Sequence, residues 1–92
     1  MALLTASEIQ DRLTALANWT LEGSTIVCRR RFADFITAIA FVNQLVEPAE
    51  AANHHPDLEI SYNKVTITLS THDEGGLTAK DFDLAAKIDQ LG

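Results

Sequence analysis

The three histidines are the residues of this chain best suited to chemistry near neutral pH. His54 and His55 are adjacent, Pro56 follows them, and His72 lies further along the chain. Imidazole has a reference pKa of about 6.5, so it can both give and take a proton under physiological conditions. The chain therefore offers an acid–base cluster, provided that the fold brings these side chains together.

The segment before His72 predicts a β-hairpin. Apolar and polar residues alternate over 57–62 and over 65–71, which is typical of half-buried strands. Asn63-Lys64 suits a two-residue loop, because Asn tolerates the positive φ that such loops require. This loop sets three apolar pairs opposite one another: Tyr62 with Val65, Ile60 with Ile67, and Leu58 with Leu69. All of the apolar residues then share one face, which supports the register.

The same register, continued, brings the histidines together. It places His55 opposite His72, and directly opposed residues have Cβ atoms about 5 Å apart. Pro56 cannot donate a backbone hydrogen bond, so we expect the pairing to fray there. Even so, His54 and His55 are predicted to lie within about 10 Å of His72.

Three interpretations of this cluster are open at this point. The histidines can be exposed polar residues at a strand end. They can bind a metal such as zinc, although adjacent histidines rarely direct both rings at one ion. No cysteine cluster is available either, because Cys28 is the only cysteine. The third interpretation is acid–base catalysis.

The elements that must position the histidines follow from periodicity and capping signals. Thr5 and Glu8 have capping-box spacing, and Asp34 and Thr78 are also helix-capping residues. The predicted order is a helix over 6–17, strands over 19–22 and 25–32, a helix after Asp34, strands over 57–62 and 65–71, and a helix from Thr78. This order (α-β-β-α-β-β-α) predicts an α+β fold with a four-stranded antiparallel sheet and three helices on one face.

The second helix is apolar around most of its circumference. One stripe consists of Phe35, Ile39, Val42 and Val46, and further apolar residues widen it: Ile36, Ala38, Ala40, Phe41 and Leu45. A helix of this kind is usually buried on two sides. We therefore expect another copy of the chain to cover the second side. Pro48 is expected to kink or break this helix near its end.

Composition limits the class of protein. The 92 residues are expected to form one domain over 1–92, and the net charge of −6 argues against nucleic acid or an anionic membrane as partner. Residues 1–5 lack the basic start of a signal peptide, and no apolar run reaches the roughly 18 residues of a membrane span. We expect a cytoplasmic protein. The basic run Arg29–Arg31 is expected to guard an exposed strand against stray pairing.

A spaced set of residues runs through the second half of the chain: Glu50, His54-His55-Pro56, Tyr62, His72 and Asp81. Several other strings accompany it: Trp19, Phe32-Ala33-Asp34-Phe35, Tyr62-Asn63-Lys64-Val65, Leu69-Ser70-Thr71-His72, Gly76-Leu77-Thr78 and Asp83-Leu84-Ala85. In these residues and spacings the chain resembles the pterin-4a-carbinolamine dehydratases over essentially its whole length. Arg30, on a strand position that should be apolar, and Pro48 depart from the pattern.

The resemblance implies an activity. Family members are hydro-lyases that remove water from 4a-hydroxytetrahydropterin to give quinonoid dihydropterin, which supports pterin recycling for aromatic amino acid hydroxylation. The pterin is the substrate, and no metal or other cofactor is implied. His54, His55 and His72 are the implied catalytic residues. His54 and His72 would exchange protons, and His55 with Pro56 would shape the pocket and hold the pterin.

The resemblance also implies supporting residues. Glu50, Thr71 and Asp73 would contact the substrate, although Glu50 can equally solvate a helix end. Asp81 would accept a hydrogen bond from His72 and so fix its tautomer. Asp81 also stands at capping-box spacing after Thr78, and the two roles are compatible.

Partners follow in the same way. The resemblance implies a homo-oligomer, a dimer or a tetramer, and points to an aromatic amino acid hydroxylase as a metabolic partner. An alternative function is that of a protein-binding dimerisation cofactor or scaffold, which some family members also perform. That function would use the helical face around Phe41 and Leu45 rather than the histidines.

Overall fold

The computed structural model describes residues 3–91. Met1, Ala2 and Gly92 lie outside the described residues, and so does part of the 1–5 segment to which the signal-peptide prediction applies. The helices are α1 (Ala6–Leu13), α2 (Phe35–Gln44), α3 (Val46–Ala52) and α4 (Ala79–Asp89). The strands are β1 (Trp19–Glu22), β2 (Thr25–Arg31), β3 (Asp57–Ser61) and β4 (Lys64–Leu69), and a 3₁₀ turn spans His72–Glu74.

The four strands form one antiparallel sheet in the order β1-β2-β4-β3. Alternate residues of the central strands β2 and β4 face the helices and are buried: Ile26, Cys28, Val65, Ile67 and Leu69. Side chains from α2, from the residue that follows it and from α4 pack against this face: Ala38, Phe41, Leu45, Phe82, Leu84, Ala85 and Ile88. The predicted α+β fold and element order are confirmed, with the second helix divided in two. No helix within residues 3–91 is both long and apolar enough to span a membrane.

The first helix is shorter than predicted. Its capping box is present, since the Glu8 N–H donates to the Thr5 hydroxyl and the Thr5 N–H donates to the Glu8 carboxylate. The helix ends at Leu13 rather than near residue 17. Leu16 is buried instead in the core, and its carbonyl accepts the Trp19 N–H at 3.1 Å, which turns the chain into β1. Core packing thus outweighs the helical propensity of this segment.

The second helix breaks at Leu45, between α2 and α3. Pro48 has no N–H to donate to the carbonyl one turn earlier, so the predicted break is confirmed at the position that proline chemistry requires. The buried stripe, however, is not the predicted one. The residues that face the core are Ala38, Phe41, Leu45 and Ala49, and the exposed ones are Phe35, Ile36 and Val46. Because Phe41 and Leu45 are buried, they cannot form the outer protein-binding face predicted for them.

The predicted register of the β3–β4 hairpin is wrong by two residues. Ser61 pairs with Lys64 and Ile60 with Val65, so the loop is Tyr62-Asn63 and not Asn63-Lys64. Tyr62 adopts a positive φ of 55° and is exposed, so it is a turn residue and not a core residue. A slip of two residues keeps each side chain on its own face, and the composition of the apolar face is therefore unchanged.

The basic run lies on a half-open part of the sheet. Pairing between β1 and β2 ends at Cys28, so Arg29–Arg31 pair with β4 on one side and extend beyond β1 on the other. Charged residues at such a position discourage further strand pairing. The guarding role stays a prediction for the exposed Arg29 and Arg31, whereas the Arg30 side chain is largely buried.

Candidate active site

The end of α3 directs two histidines out of the helical layer. Asn53 takes the left-handed conformation (φ 49°, ψ 44°) that ends the helix, and Asn is one of the few residues that tolerate it. The His54 N–H then donates to the Ala49 carbonyl at 3.1 Å. This turn fixes the backbone of His54 next to α3 and leads the chain through His55 into β3.

His54 is the histidine that contacts Asp81. Its Nε2 lies 2.5 Å from Asp81 Oδ1, and both side chains are largely buried, with exposed fractions of 10% and 0%. The predicted contact of Asp81 with His72 is therefore wrong. Asp81 lies in the first turn of α4, which packs against α3, and α3 delivers His54 rather than His72 to this carboxylate.

Asp81 also has the predicted capping role. Its Oδ2 accepts the Thr78 N–H at 2.9 Å at the start of α4. A carboxylate at this end of a helix is favoured by the helix dipole. One carboxylate thus caps α4 with one oxygen and contacts His54 with the other.

The other two histidines are more exposed, and each lies near a different carboxylate. His55 Nε2 is 2.5 Å from Glu50 Oε2, a contact that folds its ring back along α3. His72 opens the 3₁₀ turn after β4, and its Nε2 is 3.7 Å from Asp57 Oδ2 at the start of β3. At 75% exposure, His72 is free to reorient towards a ligand.

A polar cleft of about 290 Å³ brings the three histidines together. Its lining residues are Asn53, His54, His55, Ser70, Thr71, His72, Asp73 and Lys80. The predicted convergence of the histidines is confirmed. It does not arise from the predicted His55–His72 strand pairing, because β3 begins only at Asp57 and β4 ends at Leu69.

The predicted substrate-contacting residues divide between two clefts. Thr71 and Asp73 line the histidine cleft. Glu50 and Pro56 do not; together with His55 they line a neighbouring, mainly apolar cleft of about 200 Å³. His55 lies between the two clefts and contributes to both. A ligand in the histidine cleft could therefore contact Glu50 or Pro56 only if it also extended past His55 into the apolar cleft.

A metal site does not assemble from these residues as placed. Within residues 3–91, no three His, Cys, Asp or Glu side chains are grouped so that they could hold one ion. Each histidine is directed instead at its own carboxylate, which is an arrangement suited to orienting imidazoles for proton exchange.

Comparison with known families decides the classification. The family model described as pterin 4 alpha carbinolamine dehydratase matches residues 2–91 of this chain. The chain belongs to the pterin-4-alpha-carbinolamine dehydratase family. A relative from Trichormus variabilis that carries the provisional name of such a dehydratase is 65% identical over 97% of this chain and 96% of its own length. One from Acidobacterium capsulatum, named in the same way, is 52% identical over 99% of both chains.

Two solved structures share the fold of this chain. A crystal structure from Brucella melitensis, described as a transcriptional coactivator/pterin dehydratase, superposes with a TM-score of 0.92 at 38% identity over 98% of both chains. A pterin dehydratase-like protein described as a RuBisCO assembly factor in the alpha-carboxysome gives a TM-score of 0.64 at 23% identity. It covers 79% of this chain and 84% of its own, and this likeness concerns the fold alone.

Four residues of the site were not predicted from the sequence. Asn53, Ser70 and Lys80 line the cleft, and the hydroxyl of Thr78 bonds to that of Thr71. Asn53 carried a usable signal, because an Asn after an apolar helix is a candidate for the left-handed cap. Lys80 and Ser70 carried none, since their place in the cleft depends on how α4 packs beside the end of β4.

Proposed function

We propose that this protein is a cytoplasmic 4a-hydroxytetrahydropterin dehydratase that uses histidine acid–base catalysis and supports pterin recycling for an aromatic amino acid hydroxylase. Family membership supports a pterin as the substrate. The observation that carries the mechanism is the single cleft lined by His54, His55 and His72.

The reaction needs an acid and a base in one place. A proton is delivered to the 4a hydroxyl, the bond from C4a to oxygen breaks, and water leaves. The proton on N5 is lost, and its bonding electrons form the new N5–C4a double bond. No oxidant or reductant is consumed. Imidazole suits both transfers because proton transfer works best when the pKa of the catalyst is near the working pH.

The surroundings of the histidines favour different roles for each. His54 is held by the buried Asp81 through Nε2, which leaves Nδ1 as the nitrogen that can exchange a proton with substrate. His72 is exposed at the edge of the cleft and can move towards the ligand. We assign proton exchange to His54 and His72, and positioning of the pterin to His55, with Thr71 and Asp73 forming the adjacent wall.

Steady-state kinetics with 4a-hydroxytetrahydropterin test this assignment. We expect His54→Gln and His72→Ala each to lower kcat by about 10²-fold, since general acid–base assistance typically contributes 10²–10⁴-fold. His55→Ala should mainly raise KM. The loss in the double variant of His54 and His72 should be smaller than the product of the single losses, because both groups serve one elimination.

The choice of Gln at position 54 follows from the structure. His54→Ala would leave the buried Oδ1 of Asp81 without its donor, at a cost of about 1–3 kcal/mol, whereas a Gln amide can donate in place of Nε2 but cannot exchange protons as imidazole does. Asp83→Ala, an exposed change on α4 outside the cleft, is the matched control. A folded variant that lacks all three imidazoles and keeps the wild-type rate would refute the proposal.

A protein-binding role is the second candidate function. It is favoured by the exposed apolar residues Phe35, Ile36 and Val46 on the outer side of α2 and α3, and the Brucella relative is described as a coactivator as well as a dehydratase. These residues do not line the histidine cleft. Substitution of Ile36 should therefore weaken protein binding and leave the dehydratase rate unchanged. Substitution of His72 should lower the dehydratase rate and leave protein binding unchanged.

A further inference from the structure

Two buried threonines surround the carboxylate that contacts His54. The Thr71 hydroxyl donates to Asp81 Oδ2 at 2.8 Å, and the Thr71 and Thr78 hydroxyl oxygens are themselves 2.8 Å apart. Thr78 and Asp81 have no exposed surface, and Thr71 has very little. The network lies directly behind the histidine cleft and connects the end of β4 with the start of α4.

The direction of these hydrogen bonds follows from counting protons. A carboxylate can only accept, so Thr71 must give its single hydroxyl proton to Asp81 Oδ2. Thr71 can then only accept from Thr78, and Thr78 must be the donor of that bond. Oδ2 also accepts the Thr78 backbone N–H at 2.9 Å. With two donors on Oδ2, Oδ1 is left for His54.

We propose that Thr71 and Thr78 are positioning residues whose ordered hydroxyls hold Asp81 in one orientation, so that His54 carries its proton on Nε2 and presents Nδ1 to the cleft. Neither threonine contacts the reacting atoms in this role. The Thr71 hydroxyl is occupied by Asp81 and Thr78, so its main role differs from the substrate contact predicted from the family resemblance.

The structural part of this proposal can be tested without any substrate. In ligand-free protein labelled with ¹⁵N-histidine, we expect His54 to show a protonated Nε2 and an unprotonated Nδ1 when the ring is neutral. Thr71→Val has nearly the same shape but no hydroxyl, and it should give a mixture of the two tautomers. Thr71→Ser keeps the hydroxyl and should restore the single tautomer. A wild-type His54 with its proton on Nδ1 would overturn the proposal.

The kinetic part rests on the proposed dehydratase function. Thr71→Val should lower kcat by about 10- to 100-fold with little change in KM, because misplacing a catalytic group mainly affects the reacting step. Thr71→Ser should keep most of the wild-type kcat. Thr68→Val makes the same chemical change on β4, on a residue directed to the opposite face of the sheet, and it should alter neither kcat nor the His54 signals.

Two outcomes separate the proposals. If Thr71→Ser loses as much kcat as Thr71→Val while remaining folded, the hydroxyl is not what matters and the positioning role is wrong. If the wild-type protein has no dehydratase activity, the proposed function fails, and the ¹⁵N spectra still decide whether the two threonines fix the His54 tautomer.

Discussion

Arg30 occupies a position on β2 that faces the core. Its guanidinium lies 5.0 Å from the centroid of the Phe41 ring and 3.4 Å from Asp89 Oδ1. The aliphatic stem of an arginine can cover apolar surface while its head stays near a carboxylate or an aromatic face. The departure from the expected apolar pattern is thus compensated by Phe41 and Asp89 and does not leave a buried charge unpaired.

Asp89 connects three elements and should therefore be important for stability. Its Oδ1 accepts one hydrogen bond from the Arg30 guanidinium and another, of 2.9 Å, from the indole N–H of the buried Trp19. Asp89→Ala should lower the free energy of unfolding by about 1–3 kcal/mol, because the indole N–H loses its acceptor. Asp89→Asn keeps an acceptor oxygen and should cost less.

Urea unfolding of the wild type, Asp89→Ala and Asp89→Asn measures these differences in the free energy of unfolding. Asp83→Ala serves as the control because Asp83 is exposed on the same helix. If the costs of Asp89→Ala and Asp83→Ala are equal, the hydrogen bond to Trp19 does not contribute to stability.

At the level of residues, the sequence predicted that the three histidines meet but not which carboxylate each of them contacts. The three histidines do line one cleft. The pairing of Asp81 with His54 instead of His72 depends on the contact between α3 and α4. That contact is set by tertiary packing, which capping signals and strand periodicity do not predict.

At the level of elements, the hairpin shows why a register can be wrong while its faces are right. Side chains alternate with a period of two, so a slip of two residues gives the same apolar face. The observed register is fixed from outside the hairpin. The Asn63 side-chain amide donates to the Phe32 carbonyl, and the Phe32 N–H donates to the Asn63 carbonyl, both at 2.8 Å. These bonds tie the loop to the end of β2, and the local sequence pattern does not contain them.

The start of α2 is an element boundary that the sequence did predict. Asp34 is the N-cap, and its side chain accepts the Thr37 N–H at 2.8 Å. Hydrogen bonds from Thr37 lower the pKa of Asp34 below its ordinary value of 3.8, and the bond from the Thr37 side chain has a larger effect than the bond from its backbone. The cap is therefore strongest when Asp34 is ionised.

This lowered pKa predicts a pH dependence of stability. Because the folded-state pKa lies below the unfolded one, the contribution of Asp34 is fully present above about pH 4 and is lost as the pH falls through the folded-state value. Asp34→Asn keeps a capping oxygen that does not titrate. The advantage of the wild-type melting temperature over that of Asp34→Asn should therefore stay constant above about pH 4 and shrink as the pH falls further.

Asp83→Asn, which changes an exposed carboxylate that is not a cap, supplies the baseline for general acid effects. A difference between wild type and Asp34→Asn that stays constant over the whole range would contradict the proposed ionised cap.

At the level of the whole molecule, one side carries uncovered apolar surface. Phe35 and Ile36 on α2 and Val46 on α3 are exposed, and Ile36 is 79% exposed. Every residue of β3 is exposed, and within residues 3–91 this strand pairs with β4 along one edge only. Exposed apolar patches and open strand edges are both typical of protein–protein contact surfaces.

We predict that the purified protein is a dimer or tetramer of this chain. The core already uses Ala38, Phe41 and Leu45, so the outer residues of α2 and α3 gain burial only from another molecule. A chain of this length buries only about 60% of its unfolded surface by itself, and a second copy would add to that burial. Light scattering coupled to size-exclusion chromatography measures the mass directly.

The combined change Ile36→Glu and Val46→Glu should lower the measured mass without unfolding the chain, because both side chains are exposed in the single copy and buried carboxylates are costly at an interface. Gln10→Glu adds a negative charge to the exposed surface of α1 and should leave the mass unchanged. A wild-type protein that remains monomeric at high concentration would show that a second copy is not what covers this surface. An oligomer that persists in the Ile36–Val46 variant would place the interface elsewhere, and the open edge of β3 would then be the next segment to change.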